Sequence, residues 1–161
     1  MLGLILAAGR GTRMGNIGKP KSLLRMGDTS IIEFQVEFLK KVGIHDILVI
    51  TGYQSEKIRG VLKNRVKFLN NPKFSETNNL HSMWVAREIL HDDFICIYGD
   101  LMFHPEILNQ CYHSTSDVCL MVETNTREET MKVKTESGKI IAVSDNIPNG
   151  QANGNFIGMA K

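Results

Sequence analysis

An almost uninterrupted apolar run, Leu2 to Ala7, leads straight into a loop that holds Gly9, Gly11 and Gly15. A strand with no polar side to turn toward water has to be covered on both faces, which calls for a largely parallel sheet between layers of helix. The loop carries Arg10 and Arg13, and Lys19 and Lys21 follow it. Glycines let a backbone approach a polyphosphate closely, so that main-chain N–H groups point at its oxygens. The cations offset its charge, and an arginine can grip two oxygens at once. A strand, a glycine-rich turn and clustered cations are what a nucleoside triphosphate site needs.

Two common phosphate loops are excluded. GxxxxGK[ST] needs Lys-Ser or Lys-Thr directly after its second glycine, and no such run occurs. In G-x-G-x-x-G the third glycine would stand at Met14, whereas Gly15 falls one residue late.

Beyond the loop, strand and helix patterns alternate. Ser30 or Thr29 can cap a helix, with Glu33 placed for a capping box and Gly43 ending the run. Asp46 to Thr51 reads as a second strand, Ser55 starts a short helix, and Val66 to Leu69 is a third strand. A polar loop enters a helix from about Asn79 to Leu90, whose apolar residues Leu80, Met83, Trp84, Ala86 and Ile89 have helical spacing. That spacing places Trp84 in the core. Phe94 to Tyr98 is a fourth strand ending at Gly99-Asp100, Pro105 begins a short helix, and Asp117 to Val122 is a fifth strand. Strands at Met131 to Thr135 and Lys139 to Val143 form a hairpin about Ser137-Gly138. The order implies one α/β domain over residues 1–161, a Rossmann-like mixed, mainly parallel sheet flanked by helices. Ligands of such sheets bind outside the carboxyl ends of the strands. Gly9 to Arg13, Gly52-Tyr53, Asn70-Asn71 and Asp100 all fall there.

The 161 residues can bury a real core, and 42% hydrophobic with 22% charged residues is ordinary for a globular chain. A net charge of +2, with a cluster of cations in the first loop rather than along a helix, does not suggest nucleic acid. No apolar run has the length of a membrane span and no leader peptide is visible, so neither a membrane nor secretion is expected. The three cysteines lack metal spacing and read as reduced thiols of a cytoplasmic protein. The five histidines show no HxxxH or HExxH pattern and read as surface or turn residues.

The string LAAGRGTRM followed by KPKSLL resembles the signature of the nucleotidyltransferases that make nucleoside-diphosphate sugars and alcohols. Leu6 to Gly9, Gly11 to Met14, Lys19 to Lys21, Leu23 and Leu24 stand in register with it. The resemblance implies a nucleotide-diphospho-sugar transferase-like fold, with Ala7, Ala8, Gly9, Gly11 and Thr12 along the nucleotide. Transfer needs an oxygen nucleophile in line with the α-phosphorus, and most of the work is positioning and charge neutralisation. A phosphate monoester acceptor is largely deprotonated at neutral pH and needs no general base. Arg13 is the candidate for the β- and γ-phosphates, and Lys21 for the α-phosphate and its transition-state charge.

Asp100, at a strand end, suits Mg²⁺, a hard cation that binds through one or two carboxylates plus substrate phosphates. The alternative is a cap for the next helix. The family also uses a second metal-binding aspartate, for which Asp145 is poorly placed. On this resemblance the chain looks as though it lacks the C-terminal part of the domain, and weak or no transferase activity is expected of it alone. The last segment, Asn155 to Lys161, reads as an uncovered edge strand. A disordered tail, a homodimer covering that surface, or poor stability is the expectation.

Asn70-x-Pro72-Lys73-Phe74 and Thr77-Asn78-Asn79-Leu80-x-Ser82, with Thr51-Gly52-Tyr53, resemble the phosphocholine and 2-aminoethylphosphonate cytidylyltransferases. By that resemblance Asn79 and Ser82 read the base of CTP, an Asn amide being both donor and acceptor. The alternative is that Asn78 or Asn79 simply caps a helix. The implied reaction is cytidylyl transfer from CTP to a small phosphorylated alcohol or amino-alcohol. A sugar-1-phosphate nucleotidyltransferase, a molybdopterin-guanine type, and an inactive nucleotide-binding domain remain the other readings.

Overall fold

The structure is a computed structural model and describes residues 1–11, 18–125 and 130–161. Its main sheet holds eight strands among the described residues. The parallel part consists of β1 (Leu2–Ala7), β4 (Ile47–Thr51), β5 (Lys67–Asn70) and β6 (Phe94–Tyr98). An antiparallel part adds β7 (Leu120–Glu123), β8 (Lys132–Glu136), β9 (Lys139–Ser144) and β10 (Gly154–Ala160). The spatial order is β5-β4-β1-β6-β10-β8-β9, with β7 paired to β10. A two-stranded ribbon of β2 (Arg25–Met26) and β3 (Thr29–Ser30) lies outside it. The helices are α1 (Ile31–Lys41), α2 (Ser55–Leu62), α3 (Asn79–Val85) and α4 (Pro105–His113).

Alternation along β1 divides the core in two. Ile5 and Ala7 join the layer formed with Val36 and Leu39 of α1 and Leu108 of α4. Leu4, Leu6 and Ala8 meet Ala86, just beyond α3, on the opposite face. The continuous apolar run is thus explained, because each side of β1 has its own cover. Glu33 anchors the start of α1 by accepting from the Ser30 N–H at 3.0 Å and the Ser30 hydroxyl at 2.6 Å. Those bonds, then the charges of Arg65 and Arg25, hold its carboxyl below the usual range against the opposing effect of burial.

Three expectations need correction. The helix after Asn78 ends at Val85, not near Leu90, where i→i+3 bonds such as Ala86 N–H to the Met83 carbonyl at 2.9 Å take over and continue in the turns beyond it. Only part of the expected apolar stripe faces inward: Met83, Ala86 and Leu90 pack on the core, and Leu80, Trp84 and Ile89 do not. Ser82 and Ala86, one turn apart, are buried, whereas Leu80 is 67% and Trp84 60% exposed. Small residues let α3 sit close on the sheet, and a helix that presents Ser82 inward must turn Trp84 outward. Finally, β10 is not an edge. It pairs with β6, β7 and β8, and Met159 is fully buried.

A candidate nucleotide site

The neighbours of β1 diverge: the chain continues to β4 on one side and returns as β6 on the other. Crevices of doubly wound sheets open at this point, beyond the carboxyl ends of the strands. A cleft of about 430 Å³ lies there, bordered by Ala7, Gly9, Gly11, Lys21, Ser22 and Asp100. The segment from Phe74 through Thr77 to Asn79 forms a further part of its lining.

Two glycines make the approach possible. Gly11 has φ +70°, and a Cβ there would come within 2.5 Å of Lys21 Cε, so the loop folds tightly over the lysine stem. At Gly99 a Cβ would lie 2.9 Å from both Ala7 Cβ and the Leu6 carbonyl, so only glycine lets the end of β6 close against β1. Lys21 Nζ is 3.6 Å from Asp100 Oδ2, bringing a cation and a carboxylate from 79 positions apart to one spot. Asp100 is not a helix cap: His104 caps α4, its ring Nδ1 accepting from the Glu106 N–H at 3.3 Å. Arg10 reaches the cleft with its guanidinium 5.4 Å from the centre of the Tyr53 ring.

The opposite wall is organised by Asn71, which is fully buried. Its amide donates to Thr77 Oγ1 at 3.2 Å and Ser82 Oγ at 3.1 Å, and its carbonyl accepts from the Lys73 N–H at 3.0 Å. One side chain thereby ties residues 71–82 into a fixed wall. Asn78 caps α3, accepting from the His81 N–H at 3.2 Å.

Most of the residues singled out from sequence meet here. Ala7, Gly9, Gly11, Lys21, Asn79 and Asp100 line the cleft. Ala8 is buried behind it, its carbonyl accepting from the Tyr53 N–H at 3.0 Å. Ser82 is buried in the Asn71 network and does not border the cleft. Thr12 and Arg13 lie outside the described residues. Asp145 does not border the cleft. Sequence reasoning missed Ser22, which borders the cleft and whose buried hydroxyl has no hydrogen-bond partner among the described residues. It also missed Asn71 as organiser, since a strand-end asparagine looks like any turn residue until its partners are known.

The donor set fits a hard divalent cation. Among the described residues no group of three or more His, Cys, Asp or Glu side chains could hold a metal by itself. A half-exposed Asp100 on a phosphate-sized cleft is what Mg²⁺ uses when substrate phosphates and water supply the other oxygens. Burial pushes the Cys96 thiol up to about 12, and burial with the Cys119 neighbour raises Cys111 to about 11.

A family model described as a MobA-like NTP transferase domain matches residues 3–145. The chain belongs to that family. It is 34% identical over 119 residues to a choline-phosphate cytidylyltransferase of Streptococcus pneumoniae, covering 71% of this chain and 52% of that protein. It is 33% identical over 121 residues to a 2-aminoethylphosphonate cytidylyltransferase of Lancefieldella rimae, covering 68% and 49%. The chain thus spans about half the length of these two relatives. Among solved structures, the inositol-1-phosphate CTP transferase from T. maritima superposes with a TM-score of 0.78 at 23% identity, over 99% of this chain and 69% of that one. The mixed sheet flanked by helices is therefore a nucleotidyltransferase fold, as expected from the sequence. No helix among the described residues is long and apolar enough to cross a membrane.

Proposed function

We propose that this chain carries the nucleotide-binding half of a cytidylyltransferase, which moves CMP from CTP to a small phosphorylated alcohol or amino-alcohol and releases pyrophosphate. The observation that carries the reading is the meeting of the Gly9–Gly11 turn, Lys21 and Asp100 at the carboxyl ends of β1 and β6. The cytidylyl preference is supported by the similarity to the S. pneumoniae and L. rimae cytidylyltransferases.

An acceptor phosphate oxygen attacks the α-phosphorus, and the bond from that phosphorus to the bridging β-oxygen breaks. No side chain has to remove a proton, because the nucleophile is already anionic. Lys21 faces the α-phosphate and neutralises charge that grows as the bridging bond lengthens. The glycine turn offers backbone N–H groups, and Arg13 and Thr12 complete the phosphate grip in this reading. Asp100 would hold Mg²⁺, which supplies further charge neutralisation on the phosphates. Lys21 Nζ lies 3.6 Å from Asp100 Oδ2, so the cation and the carboxylate that would hold the metal stand side by side at the phosphate position of this reading. Asn79 borders the cleft, and in this reading its amide, both donor and acceptor, reads the base. Ser82 acts behind it, through Asn71, in holding the wall.

The test is calorimetric binding of CTP, UTP, ATP, GTP and dTTP with Mg²⁺, followed by pyrophosphate release from the preferred nucleotide with phosphocholine, 2-aminoethylphosphonate or sugar 1-phosphates. CTP is expected to bind most tightly, and the phosphorylated alcohols to drive release in a chain that turns over. Tighter binding of dTTP, UTP or GTP moves the chain to another branch.

A further inference from the structure

We infer that Gln35, on α1 and outside every motif of the site, is a positioning residue for the Asp100 carboxylate. This rests on the reading of Asp100 as the metal-binding group. The end of β6 makes a turn over Tyr98-Gly99-Asp100-Leu101, closed by the Leu101 N–H donating to the Tyr98 carbonyl at 2.9 Å. Gln35 is fully buried beneath that turn. Its Nε2 donates to the Tyr98 carbonyl at 2.9 Å and to the Leu101 carbonyl at 2.8 Å. The amide therefore bridges the two ends of the four-residue turn that carries Asp100. The amide orientation is fixed, since a flipped carboxamide would set its oxygen against two carbonyls.

Gln35 Oε1 is buried with no hydrogen-bond partner among the described residues. An apolar residue would fill this place on the inner face of α1 without orphaning an acceptor. A glutamine there makes sense if the turn must be held in one shape. A second tether from the same helix supports this: Phe34 meets Phe103, just past the turn, edge-on with ring centres 5.2 Å apart. Leu6 and Ala7 crowd Gly99 from the other side, so the turn is confined by β1 and α1 together. The carboxylate is thus presented to the cleft by a clamp on the backbone either side of it. Displacing that backbone moves the metal-binding oxygen without altering any group that touches nucleotide.

The test is a Mg²⁺ titration of CTP binding by calorimetry, on the parent chain, Gln35→Met, Asp100→Asn and the double variant, with Ile32→Val as a core control on the same helix. Gln35→Met is expected to raise the Mg²⁺ concentration at half-saturation at least tenfold while leaving metal-free CTP binding within twofold. Ile32→Val should leave both within twofold. In the Asp100→Asn background Gln35→Met should add nothing to the metal requirement. An unchanged Mg²⁺ requirement in Gln35→Met, or an equal further loss in the Asp100→Asn background, overturns the clamp while leaving the nucleotide site standing. If Asp100→Asn itself leaves the requirement unchanged, the metal reading falls and takes the clamp with it. Should Gln35→Met fail to fold, the parent chain decides: the Gln35 side-chain amide resonances should be protected from exchange and shift with Mg²⁺ and CTP together. Rapid exchange or no shift refutes the inference.

Discussion

Replacing Asn71 by alanine removes the three hydrogen bonds that hold residues 71–82 as one wall of the cleft. At roughly 0.5–1.5 kcal/mol net for each, the loss is about 1.5–4.5 kcal/mol. The structure narrows this range. Thr77 Oγ1 keeps its bond to the Lys73 carbonyl at 2.7 Å, and the Lys73 N–H lies at an exposed turn where water can replace the lost partner. The Ser82 hydroxyl retains only a long 3.4 Å contact to the Asn78 carbonyl inside the core and carries the largest single loss. We expect about 2–3 kcal/mol by urea unfolding followed by circular dichroism. Part of it will be hidden if the wall opens locally before the sheet unfolds. Local opening should appear instead as faster amide exchange at Ser82 and weaker CTP binding, because Asn79 sits on the same wall. Asn71→Asp should not restore the wall: it keeps the acceptor for the Lys73 N–H, but a carboxylate in place of a neutral amide at this fully buried position adds a desolvation cost. A cost below about 0.5 kcal/mol for Asn71→Ala, with unchanged exchange and CTP affinity, would show that the wall does not depend on this residue.

The other predictions concern charge. Lys21→Ala and Arg13→Ala should each weaken triphosphate binding by about 1.5–3 kcal/mol, the worth of a charge-assisted hydrogen bond; unchanged calorimetric affinity in both removes them from the phosphate site. Ser30→Ala should destabilise by about 0.5–2 kcal/mol at pH 7 through loss of the helix start. Because Glu33 has a lowered folded pKa, its contribution is present above the unfolded value and is lost as pH falls through the folded one. Ser30→Ala raises that folded pKa toward the unfolded one, so parent and variant should converge in stability as pH falls below about 4; parallel curves would contradict the assignment.

Much of this protein is written locally. The apolar run of β1 dictates a strand covered on both faces, and the structure covers it with α1 and α3. Strand and helix spacing was legible because backbone periodicity acts within a few residues, and the boundaries of β1, β4 and β6 agree to within a residue. The Ser30–Glu33 helix start and the Ser137-Gly138 turn were readable for the same reason, both turn residues having positive φ. Gly9, Gly11, Lys21 and Asp100 could be named from their motifs and from standing beyond strand ends.

What tertiary structure alone decided is which partners meet. Helical spacing in α3 says that Leu80 and Trp84 share a face, not that the face is outward; the buried Asn71–Ser82 bond and the small Ala86 decide that. Likewise the sequence of β10 cannot announce that it will lie between β6, β7 and β8, since strand order follows from nonlocal pairing. Gln35 gave no signal at all, because a glutamine within an amphipathic helix is a surface residue by composition. Its role comes from two carbonyls 63 and 66 positions away that folding brings within hydrogen-bond reach. Chemistry that depends on residue type and short spacing is carried by the chain itself. Chemistry that depends on a buried polar group finding its partner exists only once the sheet has closed.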